Sequence, residues 1–175
     1  RILRGGLGVN RAVFDTGPLI HLWEIKACEA LRLFKKVLIS REVVAELRLI
    51  SSEAQREIMR YKQLEHKSLA DSSKDFMMLL VKRGLDVGEA SSIALARQEN
   101  IRYLFTDDLN ARTEAQHLGF EVHGTVGLLL RAFREKIFNK KVAVGKLQAL
   151  HDSSTLFITK PLVEKAINEI EHFKR

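Results

Sequence analysis

The sequence contains a single cysteine, and that scarcity excludes two classes of small protein. Cys28 has no partner within the chain, so no intramolecular disulfide can form. A metal centre built from several cysteines is excluded for the same reason. Chains without a disulfide framework are typical of reducing compartments, and we therefore expect a cytoplasmic location.

Long apolar runs are also absent. No uninterrupted apolar stretch reaches the roughly 18 residues of a membrane-spanning helix, so no membrane partner is expected. The beginning of the chain lacks the apolar core of a signal peptide, and no internal repeat or low-complexity segment occurs. Residues 1–10 are rich in glycine and poor in pattern, and we expect them to be a non-native or disordered leader.

What the chain does contain is the composition of one globular domain. It has 175 residues, of which 46% are hydrophobic and 29% charged. We expect a single domain over 11–175, with a helical C-terminal part at 134–175 packed on it. The 29 Lys and Arg outnumber the 22 Asp and Glu, which gives a net charge of +7. A basic surface favours nucleic acid as a partner, although many small proteins are basic for solubility alone.

Short apolar runs alternate with helical patterns along the chain, which is typical of an α/β protein. Ser40 is a good N-cap for a helix predicted at Arg41–Ile50. The order strand, helix, strand, helix favours parallel pairing. We predict a three-layer α/β/α sandwich with a central, mainly parallel sheet and a helical C-terminal extension. The other predicted elements are strands at 11–15, 37–39, 103–106 and 120–122, and helices at 26–34, 86–100, 109–118 and from 124 onward.

Two stretches have weaker patterns. Residues 16–18 (Thr-Gly-Pro) predict a turn, followed by a short helical turn at 19–23. Residues 51–83 have a helical composition, and their middle predicts either a short edge strand at 68–70 or a break between two helices.

Two of the predicted strands end in a carboxylate. Asp15 follows Val13 and Phe14, and Asp107 follows Leu104 and Phe105. In an open α/β sheet the carboxyl ends of the strands form the edge where ligands bind. Both carboxylates are therefore candidates for one shared site.

Two further carboxylates lie on helix faces that apolar neighbours mark for burial. Glu46 lies three residues after Val43 and four before Ile50, and Glu89 lies four residues before Ile93. Burying a carboxylate is costly unless it is paired or bound to a metal. These positions add two candidate ligands to the pair at the strand ends.

Each acid also has an ordinary structural interpretation. Glu89 could form a capping box with Asp86, and Asp108 could cap the helix that begins after it. Glu46 could reach solvent from the edge of its helix, and Asp15 could cap the following turn. Four separate explanations would then be needed where one metal site suffices.

Carboxylates gathered at one edge suit Mg²⁺ or Mn²⁺, which are hard cations with a preference for oxygen ligands. Such ions promote phosphodiester hydrolysis by polarising phosphoryl oxygens and activating water. Thr16, which directly follows Asp15, could place its hydroxyl on a phosphate oxygen or a water molecule.

The ordered acidic motifs resemble the PIN domain nucleases, and among them the VapC-like toxins of prokaryotic toxin–antitoxin pairs and their relatives. Two departures accompany the resemblance: residues 56–83 match poorly, and the tail beyond Arg134 is longer than in the compact toxins. The resembling segments are VFDTGPLI (Val13–Ile20), ISREVVAEL (Ile39–Leu47), LDVGEASSIALA (Leu85–Ala96), LFTDDLNAR (Leu104–Arg112) and GTVGLL (Gly124–Leu129).

The resemblance implies Asp15, Glu46, Glu89 and Asp107 as catalytic, metal-binding acids, with Asp108 as a helper. It further implies a metal-dependent ribonuclease that uses Mg²⁺ or Mn²⁺, acts on RNA and forms a homodimer. In toxin members a small antitoxin protein covers the acidic pocket.

Two other classes of protein compete with this hypothesis. A haloacid-type phosphatase needs an aspartate two residues after its nucleophile, where this chain has Gly17, and a receiver domain carries its paired acids early in the chain. A PIN-like binding module without activity is the second alternative, and the presence of all four acids argues against it.

Several basic residues near the acids in sequence are candidates for positioning phosphates. They are Arg11, Arg41, Lys82 and Arg112, although solvated surface charge is the better explanation for each of them taken alone. The histidines at 21, 117 and 123 lack metal-ligand spacing, and we expect them to be surface or packing residues.

Overall fold

The computed structural model describes residues 10–173, so the predicted leader at 1–10 lies outside the described part except for Asn10. Within residues 10–173 the chain forms five strands, nine α-helices and one 3-10 helix. The strands are β1 (Arg11–Phe14), β2 (Lys36–Ser40), β3 (Leu64–Lys67), β4 (Tyr103–Phe105) and β5 (Glu121–His123). The helices are α1 (Thr16–Glu24), α2 (Arg41–Ile50), α3 (Ser52–Ile58), α4 (Asp71–Lys82), α5 (Val87–Gln98), α6 (Leu109–His117), α7 (Thr125–Arg134), α8 (Lys140–Ser153) and α9 (Lys160–Glu171). The 3-10 helix spans Cys28–Leu33.

The five strands form one sheet in the order β3-β2-β1-β4-β5, and every pair is parallel. This confirms the predicted fold class. Parallel strands place all their carboxyl ends at one edge. Since β1 and β4 are neighbours, with Val13 beside Leu104 and Phe14 beside Phe105, the acids that follow them meet at the middle of that edge.

Both faces of the sheet are covered by helices. Phe14 points into a core shared with α1, α2 and the C-terminal helices, while Val13 points into a second core with α4, α5 and α6. The Phe14 and Phe105 rings stack with centroids 4.5 Å apart. Alternate side chains of one strand thus pack against the helices on opposite faces of the sheet. This packing holds the strand ends in place.

The first helix differs from the prediction. Residues 16–18 begin the nine-residue helix α1 rather than forming a turn. Pro18 is tolerated because the N–H groups of a first helical turn have no intrahelical partner to lose. In place of the helix predicted at 26–34, the chain forms the shorter 3-10 helix, which begins at Cys28. Two residues earlier, the backbone of Lys26 is in the left-handed conformation (φ 55°).

The region 51–83 contains an edge strand that lies earlier than predicted. β3 covers Leu64–Lys67, where Leu64 pairs with Val37 of β2, and it separates α3 from α4. The carboxyl end of α2 also departs from expectation, because Ile50 is 56% exposed rather than buried.

Beyond Arg134, α8 and α9 pack on the core through Leu147, Leu150, Val163 and Ile170, as the predicted helical extension requires. Among residues 10–173, the structure contains no helix that is long and apolar enough to cross a membrane.

Candidate active site

A cavity of about 380 Å³ opens where β1 and β4 end, and we call it the acidic cavity. Among the described residues, no lysine or arginine lines it, although the chain carries a net charge of +7. The cavity is lined by seven carboxylates, namely Asp15, Glu24, Glu46, Asp86, Glu89, Asp107 and Asp108. The fold thus brings together all five acids predicted for the site and adds two more.

Asp15 is the most deeply buried of these acids, with 5% of its surface exposed. Its backbone N–H donates to the Phe105 carbonyl of β4, and its Oδ1 accepts from the Thr16 amide at 2.8 Å. The Thr106 hydroxyl donates to Oδ2 at 3.0 Å. Asp15 therefore caps α1, as one interpretation of the sequence allowed, and also lines the cavity.

Asp107 is held by two residues, His21 and Thr125, for which the sequence predicted no role at the site. Its Oδ1 accepts from the Thr125 amide at 2.7 Å, and its Oδ2 accepts from the Thr125 hydroxyl. His21 Nδ1 lies 2.7 Å from the same Oδ2. His21 is thus buried against a candidate ligand rather than being a mere surface or packing residue.

Glu46 approaches the cavity from α2 and contacts α1 and α5. The Thr16 hydroxyl donates to its Oε2 at 2.7 Å. A Cβ atom at position 88 would lie 2.1 Å from the same oxygen, so the carboxylate occupies the space that Gly88 leaves open. Close packing against a glycine therefore fixes the observed position of Glu46.

Glu89 and Asp108 each cap a helix while lining the cavity. Glu89 Oε2 accepts from the Asp86 amide at 3.0 Å, which is the capping-box bond anticipated from the sequence. Asp108 Oδ1 accepts from the Ala111 amide at 2.8 Å and caps α6. Capping and lining are therefore compatible for both residues.

Burial and crowding of the carboxylates shift the pKa values of three of them. Burial, with smaller contributions from Glu46 and Asp107, raises the pKa of Asp15 to about 6. Burial, together with Asp108 and Asp15, raises the pKa of Glu89 to about 7. Burial acts on Asp107 too, but the hydrogen bonds from His21 and Thr125 outweigh it and hold the Asp107 pKa below its ordinary value. Among residues 10–173, neither lysine nor arginine lines the cavity, and a bound cation would supply positive charge to the acids there.

The chemistry of the donor set fits a hard divalent cation, since all the candidate ligands offer carboxylate oxygens. Within residues 10–173, however, no three acidic, histidine or cysteine side chains already converge on one metal position. Glu46, Glu89 and Asp107 are engaged instead with Thr16, with the Asp86 amide and with Thr125. Cation binding would therefore require these side chains to draw closer together. Each carboxylate offers about four lone-pair sites, so it can do so while keeping its hydrogen bond.

The basic candidates lie elsewhere. Neither Arg11, Arg41, Lys82 nor Arg112 lines the acidic cavity. Arg11 pairs with Glu99 at 3.2 Å. The Arg112 guanidinium donates to the Thr106 carbonyl at 3.2 Å and lies beside Gly124, close to Asp107 Oδ1, without lining the cavity.

Tail residues complete the cavity wall. Thr155, Leu156 and Phe157, from the segment between α8 and α9, line its rim. Both the amide and the hydroxyl of Thr155 donate to Glu24 Oε2, at 2.9 and 3.1 Å. No local sequence pattern joins residues 131 positions apart, so this part of the wall could not be predicted.

A family model described as a PIN domain matches residues 11–172, which is nearly the whole described chain. No curated protein matches the sequence significantly.

Proposed function

This chain belongs to the PIN domain family, and from that premise we propose that it is a metal-dependent ribonuclease that hydrolyses RNA phosphodiester bonds in the acidic cavity. PIN domains are in general nucleases and typically use divalent metals. The observation that carries the proposal is the concentration of seven carboxylates in one cavity of a basic protein, with no lysine or arginine among the described lining residues.

Asp15, Glu46, Glu89 and Asp107 would hold Mg²⁺ or Mn²⁺, with Asp108 as a helper at the rim. When bound, the cation neutralises charge on the scissile phosphate and activates water for attack. Supporting this assignment, the raised pKa values of Asp15 and Glu89 mark the two carboxylates that gain most from a nearby positive charge.

Neighbouring groups orient these acids. Thr106 and the Thr16 amide fix the two oxygens of Asp15. Thr125 and His21 keep Asp107 ionised and limit its rotation. The Thr16 hydroxyl orients Glu46 and lines the same cavity, where Thr16 would lie beside a substrate phosphate. Hydrogen bonds to the candidate ligands preorganise the site, as hydrogen bonds to metal ligands generally do.

A cleavage assay tests the proposal. Labelled single-stranded RNA is incubated with the protein and Mn²⁺ or Mg²⁺, and parallel reactions contain EDTA or single-stranded DNA of the same sequence. We expect metal-dependent RNA cleavage that Asp15→Asn abolishes and Asp75→Asn, an exposed acid on α4, leaves intact. Equal cleavage by wild type and Asp15→Asn would refute the assignment of the site.

A PIN-like binding module without activity is the second candidate. The four predicted acids all line one cavity, which favours an active enzyme over a module that has lost its site. Melting curves with and without Mn²⁺ separate the two when they are compared with the cleavage assay, because a ligand of the folded state raises stability by mass action whether or not RNA is cleaved. A shift in melting temperature without cleavage of any RNA would support the module.

The finer biological roles stay predictions from the family resemblance. They are a toxin role, a small antitoxin that covers the acidic cavity, a homodimer and a cytoplasmic location. Co-expression with the product of a short neighbouring gene, followed by purification of a complex that no longer cleaves RNA, would test the first two.

A further inference from the structure

A second cavity, of about 750 Å³, lies beside the amino ends of β2 and β3, and we call it the basic cavity. Its wall comes from the end of α1, the 3-10 helix, the α3–β3 connection and the segment from Phe138 into α8. It shares no lining residue with the acidic cavity. Its volume is in the range of small-molecule binding sites.

The basic cavity has a charge opposite to that of the acidic one. Five cations face only two carboxylates, Glu29 and Glu57. Within residues 10–173, none of the five cations forms an ion pair with another side chain. The five are Lys26, Arg32, Arg60, Lys62 and Lys146. Unpaired like charges around one cavity favour binding of an anion, because the anion relieves their mutual repulsion.

Aromatic side chains accompany these cations. Trp23, Tyr61 and the buried Phe138 line the same cavity. The Trp23 indole N–H donates to Glu57 Oε2 at 2.8 Å, which holds the ring in a defined position and engages one of the two carboxylates. Lys146 Nζ donates to the Ile25 carbonyl at 2.9 Å and is likewise fixed at the wall.

We infer that the basic cavity binds a nucleoside phosphate, either as a free nucleotide or as the phosphorylated 5′ end of an RNA strand. The base stacks on the aromatic wall of Trp23 and Tyr61, since stacking on such rings is tolerant of base identity. The phosphate lies among Arg32, Arg60 and Lys62, where arginine offers paired donors. A nucleoside without a phosphate would contact only the aromatic residues, and inorganic phosphate would contact only the cations.

The single tryptophan of the chain lies in this wall, so its fluorescence reports on the cavity. The full chain is titrated in EDTA with adenosine 5′-monophosphate, adenosine, inorganic phosphate, and a short RNA bearing a 5′-phosphate or a 5′-hydroxyl. We expect saturable quenching by the monophosphate at a concentration at least about tenfold below that needed for adenosine or phosphate. A response to the 5′-phosphorylated RNA alone identifies the strand end as the source, and a response to the free nucleotide identifies a small ligand.

Variants make the test specific. Arg60→Gln with Lys62→Gln removes two cations from a connecting segment, and we expect binding to weaken about tenfold or more. Arg48→Gln with Lys165→Gln removes two exposed cations away from the cavity and should leave binding unchanged. Asp15→Asn should also bind normally, which separates this result from the fate of the nuclease proposal.

Three outcomes would overturn the inference. They are no fluorescence response to any phosphorylated ligand, equal affinity for inorganic phosphate and adenosine 5′-monophosphate, or equal weakening in both double variants. Circular dichroism spectra and melting temperatures of the variants show whether each one is folded.

Discussion

The two cavities of this protein have opposite charge although α1 borders both of them. Thr16 and His21 of α1 line the acidic cavity, and Trp23 lines the basic one. In the acidic cavity, burial raises the pKa values of Asp15 and Glu89. The cations of the basic cavity are mainly exposed to solvent. The two cavities therefore suit different proposed ligands: a compact divalent cation in the acidic cavity and a larger anion in the basic one.

The largest effect is expected when one acid of the acidic cavity is neutralised. Glu46→Gln keeps the shape of the side chain but removes its charge, and we expect RNA cleavage to fall by about a hundredfold or more. Nucleotide binding in the basic cavity should be unchanged. Glu53→Gln, an exposed acid on α3, is the matched control. If Glu46→Gln cleaves RNA at the wild-type rate, Glu46 is not a metal ligand.

Stability should respond in the opposite direction to activity. Without metal, ionised Asp15 opposes folding, because burial raises its pKa to about 6. A shift of about two pKa units corresponds to about 3 kcal/mol, so Asp15→Asn should raise the free energy of unfolding by up to that amount at pH 8 in EDTA. The Thr106 hydroxyl, now a donor to Asp15, can instead accept from the new amide. Urea unfolding measures the difference.

The sign of this effect depends on pH. An acid whose pKa is raised by folding stabilises the folded state fully below its unfolded pKa, and the stabilisation is lost as pH rises toward the folded pKa. Wild type should therefore lose stability in EDTA between about pH 4 and pH 7 relative to Asp15→Asn. A difference that stays constant over this interval would show that Asp15 does not titrate as described.

Cleavage should depend on pH because protons and metal compete for the same oxygens. The pKa values of about 6 for Asp15 and about 7 for Glu89 mean that both must lose protons to bind a cation. We expect the rate at subsaturating Mn²⁺ to be more than about tenfold lower at pH 5.5 than at pH 8. Saturating Mn²⁺ should restore part of the loss at the lower pH. A rate that is flat across this range would contradict metal binding by these two acids.

A smaller effect is expected from adding one methyl group beside Glu46. In Gly88→Ala the new Cβ meets Glu46 Oε2, the end of a flexible side chain, so the carboxylate moves and loses its bond to Thr16. Cleavage should fall about tenfold through misplacement of the ligand, while the helix itself tolerates alanine. Gly145→Ala in α8, where no atom lies within 4 Å of the new Cβ, is the control. Equal activity of both variants would show that the observed position of Glu46 is unimportant.

The acidic cavity was largely predictable from sequence, whereas the basic cavity was not. Asp15 and Asp107 follow apolar strands, so their meeting at one edge follows from parallel pairing alone. His21 could not be predicted from spacing, because it lacks metal-ligand spacing to the other histidines and its contact with Asp107 depends on residues 16–18 being helical. Once they are helical, His21 lies one turn after Gly17, on the side of Asp107.

The basic cavity is assembled from segments around 23–32, 57–63 and 138–146, and none of them carries a local motif. Its position depends on β3, whose sequence Leu-Glu-His-Lys lacks the apolar character of a buried strand. That strand is specified by its pairing with β2, with Leu64 beside Val37, and not by its own composition. Strand pairing between residues far apart in the chain cannot be predicted from a single sequence.

If the proposed function is right, the acidic cavity binds a divalent cation through Asp15 and its neighbours. Calorimetric titration of Mn²⁺ into wild type and Asp15→Asn at pH 8, with Asp75→Asn as the control, tests it most directly. We predict saturable binding to wild type and to the control, and at least about tenfold weaker binding to Asp15→Asn. Equal affinity in all three proteins, or no binding to wild type, would contradict the account.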